Sequence, residues 1–313
     1  MLNFIEKIIK IPTYTGNFEA INECFGLCKN LCEECIIREV CINNYRSILF
    51  SNADTNDFDI VNLCHLDVVE NEVYRVIMDE NILRGRGVFD MKSFVVCSLF
   101  NLKQIIAENV NVKYGILVVS DEETGSINGT KYWVEKLKLK AEVVLDSDSG
   151  VGDINKIVKD TLGAITIKLY GNMFEKMIAT QNIRNRLGNL YFETMGDEID
   201  LNFDVENILD ILKKCTKNAH FEVLMLNDFM KNNIDGNPHR LYKDICENTL
   251  KSHIEYITNH TTSDSRYLYG RSDVINHQAT GGDYHRNTEW LDFESLQKFR
   301  NIQLEFLRRF KML

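Results

Sequence analysis

Asp59-Ile60-Val61-Asn62-Leu63-Cys64-His65-Leu66-Asp67 is the stretch that decides the fold. A short, nearly unbroken apolar run fits a strand buried on both faces of a parallel sheet. It ends at His65, so His65 and Asp67 are expected on the loop past the strand's C-terminal edge. Open α/β sheets place their ligands at that edge. Two later runs repeat the pattern. Tyr114-Gly115-Ile116-Leu117-Val118-Val119 leads into Asp121-Glu122-Glu123-Thr124-Gly125, and Glu142-Val143-Val144-Leu145 leads into Asp146 and Asp148. Gly85-Arg86-Gly87-Val88-Phe89-Asp90-Met91-Lys92 forms a glycine-marked approach to a helix expected from near Asp90 to about Glu108. A further helix is expected near residues 127–138. Three strand ends thus send imidazole or carboxylate to one edge, the raw material of a two-metal hydrolytic site.

Working outward, Arg46-Ser47-Ile48-Leu49-Phe50 reads as a strand, and helical signals cover roughly residues 17–35. The texture changes after Leu162. Ala164 to Tyr170 and Glu198 to Phe203 alternate like half-exposed strands, Val205 to Lys217 has helical periodicity, and Phe221 to Met225 reads as a strand. Strand, helix and strand suggest a small α+β domain. Asp235-Gly236-Asn237-Pro238 leads out of it, into a helix from His239 to about Ile257. A last helix, about Phe293 to Phe310, carries Leu296, Phe299, Ile302, Phe306, Leu307 and Phe310 as a core stripe. The expected fold is α/β, with a central, mostly parallel sheet and flanking helices. It is built from residues 1–161 and 236–313, with a small α+β domain inserted at 162–235.

Composition narrows the function classes. The 313 residues are 44% hydrophobic and 26% charged, as in a globular protein with a sizeable core. A net charge of −10 argues against nucleic acid and anionic membrane as partners. Bound divalent metal would neutralise part of that charge. No apolar run approaches the roughly 18–20 residues needed to span a membrane. The start, Met1 to Lys10, reads as an amphipathic helix stopped by Pro12, without secretory-signal features. Nine cysteines, an odd count, fit reduced thiols and a cytoplasmic location. Cys24, Cys28, Cys32 and Cys35 share one helical face. They read as a thiolate metal site or as small hydrophobes on a buried face, and the second is favoured because cluster ligands usually sit on loops.

Each acidic motif has a plain structural reading beside the chemical one. His65 offers a neutral nitrogen, with the Asp67 carboxylate accepting the other ring N–H; the pair also reads as two turn residues. Asp90 either caps a helix or bridges two cations. Lys92 reads as a solvated cation on the first helical turn. Glu122 and Glu123 repel unless metal or a proton intervenes, so one binds metal while its neighbour serves as general base. As a solvated acidic turn they would suit a helix N-terminus. Asp146 and Asp148 compete for one ligand role. His285, after Gly281-Gly282, closes the cluster from the far end of the chain. His220, His239, His253, His260 and His277 read as structural or solvated.

As a set, these motifs resemble the co-catalytic zinc hydrolases that include acetylornithine deacetylase, succinyl-diaminopimelate desuccinylase, carboxypeptidase G and tripeptidase T. The likeness rests on His65-Leu66-Asp67-Val68-Val69, Gly85-Arg86-Gly87 with Asp90-Met91-Lys92, and Asp121-Glu122-Glu123-Thr124-Gly125-Ser126. It continues through Leu145-Asp146-Ser147-Asp148-Ser149-Gly150, Ser263-Asp264-Ser265-Arg266-Tyr267, and Gly281-Gly282-Asp283-Tyr284-His285 with Asn287 and Glu289. It implies a zinc aminopeptidase-like catalytic domain with an inserted lid and dimerisation domain. It also implies two Zn2+ (Co2+ or Mn2+ as substitutes), with His65 and Asp148 on one, Glu123 and His285 on the other, and Asp90 between them. Glu122 would be the general base, assisted by Asp67. Arg266 and the backbone near Gly281 and Gly282 would hold a substrate carboxylate. The activity implied is amide hydrolysis in amino acid metabolism, on an N-acyl amino acid or, alternatively, a short peptide. A metal-dependent binding protein without catalysis is the third reading.

The likeness has limits. Leu169-Tyr170-Gly171 is followed by Asn172-Met173-Phe174-Glu175-Lys176, without the histidine the family carries there. The stretch from there to Asp200 is also shorter than the family's, so the insert reads as shortened, which puts the family's homodimer contact in doubt. Asp at 148 is more like the family's peptidases, while Met91 beside Asp90 leans toward its deacylases.

Overall fold

The apolar run before His65 forms a strand, Asp57–His65, buried at every position after the first. The computed structural model describes residues 1–188, 190–217, 219–260 and 263–312. They fall into two units: Met1–Lys159 with Asn232–Ile257 and Ser263–Leu313, and Asp160–Lys231 with Thr258–Thr262.

The chain opens with α1 (Leu2–Ile9), α2 (Phe18–Leu31) and the hairpin β1 (Ile36–Ile42) and β2 (Tyr45–Ser51), followed by β3 (Asp57–His65). Then come β4 (Ile77–Asp79), β5 (Ile82–Arg84), α3 (Lys92–Ala107), β6 (Tyr114–Val119), α4 (Thr130–Glu135), β7 (Lys140–Asp146) and β8 (Lys156–Thr161). The smaller unit holds β9 (Gly163–Tyr170), α5 (Met173–Leu187), β10 (Phe192–Met195), β11 (Glu198–Phe203), α6 (Ile208–Cys215), β12 (His220–Asn227) and β13 (Met230–Lys231). The chain ends with α7 (Asn237–Leu250), β14 (Glu255–Asn259), β15 (Asp273–His277), β16 (Gly281–Gly282), β17 (Trp290–Asp292) and α8 (Phe293–Arg309).

In the larger unit the sheet runs β1-β2-β6-β3-β7-β15-β8. The four middle strands, β6, β3, β7 and β15, are mutually parallel, and antiparallel strands close both sides. Helices cover both faces, as a parallel core requires. On one side Ile5, Ile8 and Ile9 of α1, Phe94 and Leu99 of α3, and Phe299, Ile302 and Phe306 of α8 pack on Ile60, Ile116 and Val143. On the other, Trp133 and Val134 of α4 pack with Leu268 on Val61, Leu63 and Leu117. Cys24, Cys28 and Cys32 are fully buried in the first core, as small hydrophobes. A second, small antiparallel sheet, β16-β17-β5-β4, ties residues 77–84 to the C-terminal third of the chain. Among the described residues no helix is long and apolar enough to cross a membrane.

The smaller unit is a four-stranded antiparallel sheet, β10-β11-β9-β12. Its own core joins Ile165, Ile167 and Leu169 of β9 to Ala179 and Ile183 of α5 and Leu212 of α6. This is richer than the strand–helix–strand expected from sequence, which passed over α5 and β10. Helix α5 opens on a capping box between Asn172 and Glu175. Its exposed Met173, Phe174 and Met177 blur the apolar periodicity that would have marked it. Two helices also end earlier than expected. Helix α2 stops at Leu31, where Cys32 leaves the helical region. Helix α7 stops at Lys251, whose positive φ of 55° terminates it, and the stretch 255–259 becomes a strand.

Candidate metal centre

The parallel strands deliver the site. At the end of β3, His65 Nδ1 lies 2.8 Å from the Asp67 carbonyl oxygen. Because that oxygen only accepts, Nδ1 carries a proton, and Nε2 faces the site. The Asp67 carboxylate, expected to accept this ring N–H, is farther away at 3.5 Å. It accepts instead from the backbone N–H of Glu122 and of Glu123, both at 3.2 Å, and from the Thr15 hydroxyl at 2.9 Å. Asp67 therefore anchors the 3-10 turn Glu122–Thr124 that follows β6.

His65 Nε2 lies 3.0 Å from Asp90 Oδ1, and His285 Nε2 lies 2.9 Å from Asp90 Oδ2. His285 Nε2 is also 3.0 Å from Glu123 Oε2, while Glu123 Oε1 accepts from the Val69 N–H. Asp90 does not cap α3: Met91 holds the N-cap position, without a side-chain cap. The Asp90–Met91 peptide is cis. At the end of β7, Asp146 accepts from the Asp148 N–H at 3.0 Å and from the Ser263 hydroxyl. Asp146 is thus committed to holding the loop, and Asp148 reaches the cluster. Two sets bring their ligand atoms within 4.8 Å of one another: His65, Asp90 and Glu123, and His65, Glu122 and Asp148. No cysteine joins such a set among the described residues.

The electrostatics are those of a cluster short of positive charge. Burial, with Asp148 adjacent, raises the Glu122 carboxyl well above its usual range. Burial and neighbouring Asp90 do the same to Asp148, and burial raises Glu123 against the pull of His285. Asp90 moves the other way: burial is outweighed by the two imidazoles. His65 is raised because Asp67 and Asp90 overcome its burial, and His285 is pushed up to about 10 by Asp90 and Glu123. Four carboxylates converge on two imidazoles. Nitrogen and oxygen donors with excess negative charge fit Zn2+, and Mn2+ or Co2+ as well.

Several motif residues have supporting roles that the sequence reading did not assign. Glu289, buried just before β17, accepts from the N–H groups of Gly87, Phe89 and Asp90 at 2.8 to 3.1 Å and pairs with Arg86 at 3.1 Å. It fixes the loop that presents Asp90. Lys92 is no solvated cation: it is fully buried, and its Nζ donates to the carbonyls of Ile8 and Ile11 at 3.1 and 2.7 Å. Burial lowers its pKa to about 8. It pins the C-terminal end of α1 beneath the site. Asp121 accepts from the Asn128 and Gly129 N–H groups, which delays α4 to Thr130. The three substrate-binding candidates are likewise engaged. Arg266 donates to the carbonyls of Ser263 and Gly125 at 2.9 and 3.2 Å. The Gly281 N–H donates to the Gly152 carbonyl, and a Cβ at Gly281 would meet the Phe89 ring at 2.3 Å. Gly282 pairs with Trp290 between β16 and β17. Strand continuity signalled the ligand edge, but nothing local signalled these long-range supports.

Known proteins share this arrangement of chain. A succinyl-diaminopimelate desuccinylase of Rickettsia typhi is 22% identical, over 83% of this chain and 85% of its own. One of Ehrlichia chaffeensis is 26% identical, over 80% and 82%. Among solved structures, an M20 family metallo-carboxypeptidase from Sulfolobus solfataricus superposes with a TM-score of 0.77 at 15% identity. That likeness, over 100% of this chain and 99% of the other, concerns the fold. The sequence profile of peptidase family M20/M25/M40 matches residues 63–309, which include His65, Asp90, Glu122, Glu123, Asp148 and His285. The chain belongs to peptidase family M20/M25/M40 and is a metallohydrolase of that family.

Proposed function

We propose that this chain is a dizinc hydrolase that removes the acyl group from an N-acyl amino acid. One observation carries the reading: the two carboxylate oxygens of Asp90 face different imidazoles, at 3.0 and 2.9 Å. A carboxylate so placed would be able to serve two cations, one beside each imidazole. His65 and Asp148 would hold one zinc, Glu123 and His285 the other, with Asp90 between them. Bound zinc would supply Lewis acidity toward water and toward a carbonyl oxygen.

The chain's own groups do the rest. No hydrogen bond restrains the Glu122 carboxylate among the described residues, and burial raises its proton affinity. Glu122 takes a proton from the attacking water and returns it to the leaving nitrogen. Asp67 keeps Glu122 and Glu123 turned into the site by holding their backbone N–H groups. Arg266 is a positioning residue: with Tyr267 it grips the Gly125 carbonyl and steadies the same turn. Nine free cysteines suit a reducing, cytoplasmic setting.

The desuccinylase relatives support deacylation. Exopeptidase cleavage at the same site is the second reading, favoured by aspartate rather than glutamate at 148. A panel of N-succinyl amino acids, N-acetyl amino acids and dipeptides, offered to the metal-loaded enzyme, separates the two. Turnover is expected on the N-acyl amino acids. Turnover on dipeptides alone establishes the second reading, and turnover on none overturns both.

A further inference from the structure

On the reading of Glu122 as general base, we infer that Thr15 is a positioning residue for the acid turn, and that the segment from Ile11 to Asn17 is part of the active site. This segment joins α1 to α2 and runs beside the end of β3. The Thr13 hydroxyl donates to the Leu66 carbonyl at 2.5 Å, and the Thr13 carbonyl accepts from the Val68 N–H at 3.1 Å. Tyr14 forms a parallel bridge with Val68, and the Thr15 N–H donates to the Val68 carbonyl at 3.3 Å.

Both ends of the segment are fixed. Lys92, two residues past Asp90, donates from Nζ to the Ile11 carbonyl at 2.7 Å. Asn17 caps α2 through its side-chain oxygen, and its Nδ2 donates to the Pro12 carbonyl at 2.8 Å. Backbone held at both ends and along its length has little freedom to open locally. It is a frame that runs from the helix behind Asp90 to the carboxylate of Asp67.

Thr15 is the point where that frame meets the acids. The fully buried Asp67 carboxylate receives the Glu122 N–H on Oδ1 and the Glu123 N–H on Oδ2, both at 3.2 Å. The Thr15 hydroxyl also donates to Oδ2, at 2.9 Å, the shortest of the three. A competing donor stands close by, since His65 Nδ1 is 3.5 Å from Oδ1. Hydrogen bonds to an ionised acceptor are the strong ones. The hydroxyl on Oδ2 therefore holds the carboxylate toward the acid turn and away from the ring of His65. Without it, Oδ2 keeps only the Glu123 N–H, and Asp67 is free to rotate and release the turn.

The test compares the metal-loaded wild type with Thr15→Val, which removes the donor and nearly keeps the shape, and with Thr15→Ser, which keeps the donor. In Thr15→Val the amides of Glu122 and Glu123 are expected to exchange hydrogen about tenfold faster or more, the worth of one hydrogen bond to a charged group. The amides of β3 and β6 are expected to keep their rates. On a substrate the wild type turns over, kcat is expected to fall about tenfold with KM unchanged, the mark of a group that orients the reacting acids. Thr15→Ser is expected to restore both. Unchanged exchange at 122 and 123, acceleration spread over β3 and β6, faster exchange with unchanged kcat, or no rescue by serine overturns the role. Exchange needs no substrate: a wild type without turnover counts against the proposed activity, and the exchange rates then decide the role of Thr15 alone.

Discussion

Glu289 and Glu122 serve the same end of the sheet in opposite surroundings. Glu289 receives three backbone N–H groups and a guanidinium, and every one of those donors comes from the loop it supports. Burial and neighbouring Asp90 raise it to about 7, while those donors hold it back. The Glu122 carboxylate receives no hydrogen bond among the described residues and faces Asp148 and His65. A buried acid fully supplied by its own chain is architecture. One left unsupplied marks where something else must enter, because an unpaired buried charge costs several kcal/mol. Lys92 belongs with Glu289, its ammonium satisfied by Ile8 and Ile11.

The contrast can be broken at several points. The largest effect is expected for Glu122→Gln: turnover falls by about 10³, at the centre of the range for a lost general base, while metal content stays the same. Retention of turnover within tenfold would place Glu122 among the structural acids. Glu289→Ala should leave Arg86 and the 87–90 amides without an acceptor, lowering stability by about 3–5 kcal/mol in urea unfolding. A loss below about 1 kcal/mol would show that the loop holds itself.

His277 sharpens the architectural side. It is buried between the Tyr242 hydroxyl and the Ile154 carbonyl, and burial lowers its pKa from 6.5 to about 4. The unfolded chain therefore binds this proton first. Stability from neutral His277 is complete above pH 6.5 and is lost as pH falls toward 4, by up to about 3 kcal/mol. Melting temperature against pH should show this slope, and His277→Gln should flatten it; an unchanged slope assigns it to other groups. The smallest effect is expected for Arg266→Ala. Turnover should drop roughly tenfold with KM unchanged, the mark of a residue that orients the acid turn. A rise in KM at constant turnover would return Arg266 to the substrate.

What the sequence made legible follows the same division. β3, β6 and β7 were readable because parallel strands buried on both faces leave continuous apolar runs, and the groups that follow them sit next in the chain. The neighbourhood of His65, the Glu122 turn and Asp148 came with them. The supports were not readable, because their partners are remote. Glu289 acts on residues about 200 positions upstream, and Lys92 on carbonyls more than 80 positions upstream. Asp67 was seen as a partner of His65 because the two are close in sequence, yet its carboxylate serves residues 55 and 56 positions away. Helix α5 was missed because exposed apolar residues obscured its pattern.

The most direct test of the two-cation account is metal content after exhaustive dialysis, measured by mass spectrometry for the wild type and for Asp90→Asn. The account predicts about two zinc ions per wild-type chain and the loss of at least one in the variant, since one carboxylate faces both positions. A wild type without metal, or a variant that keeps both ions, would contradict it.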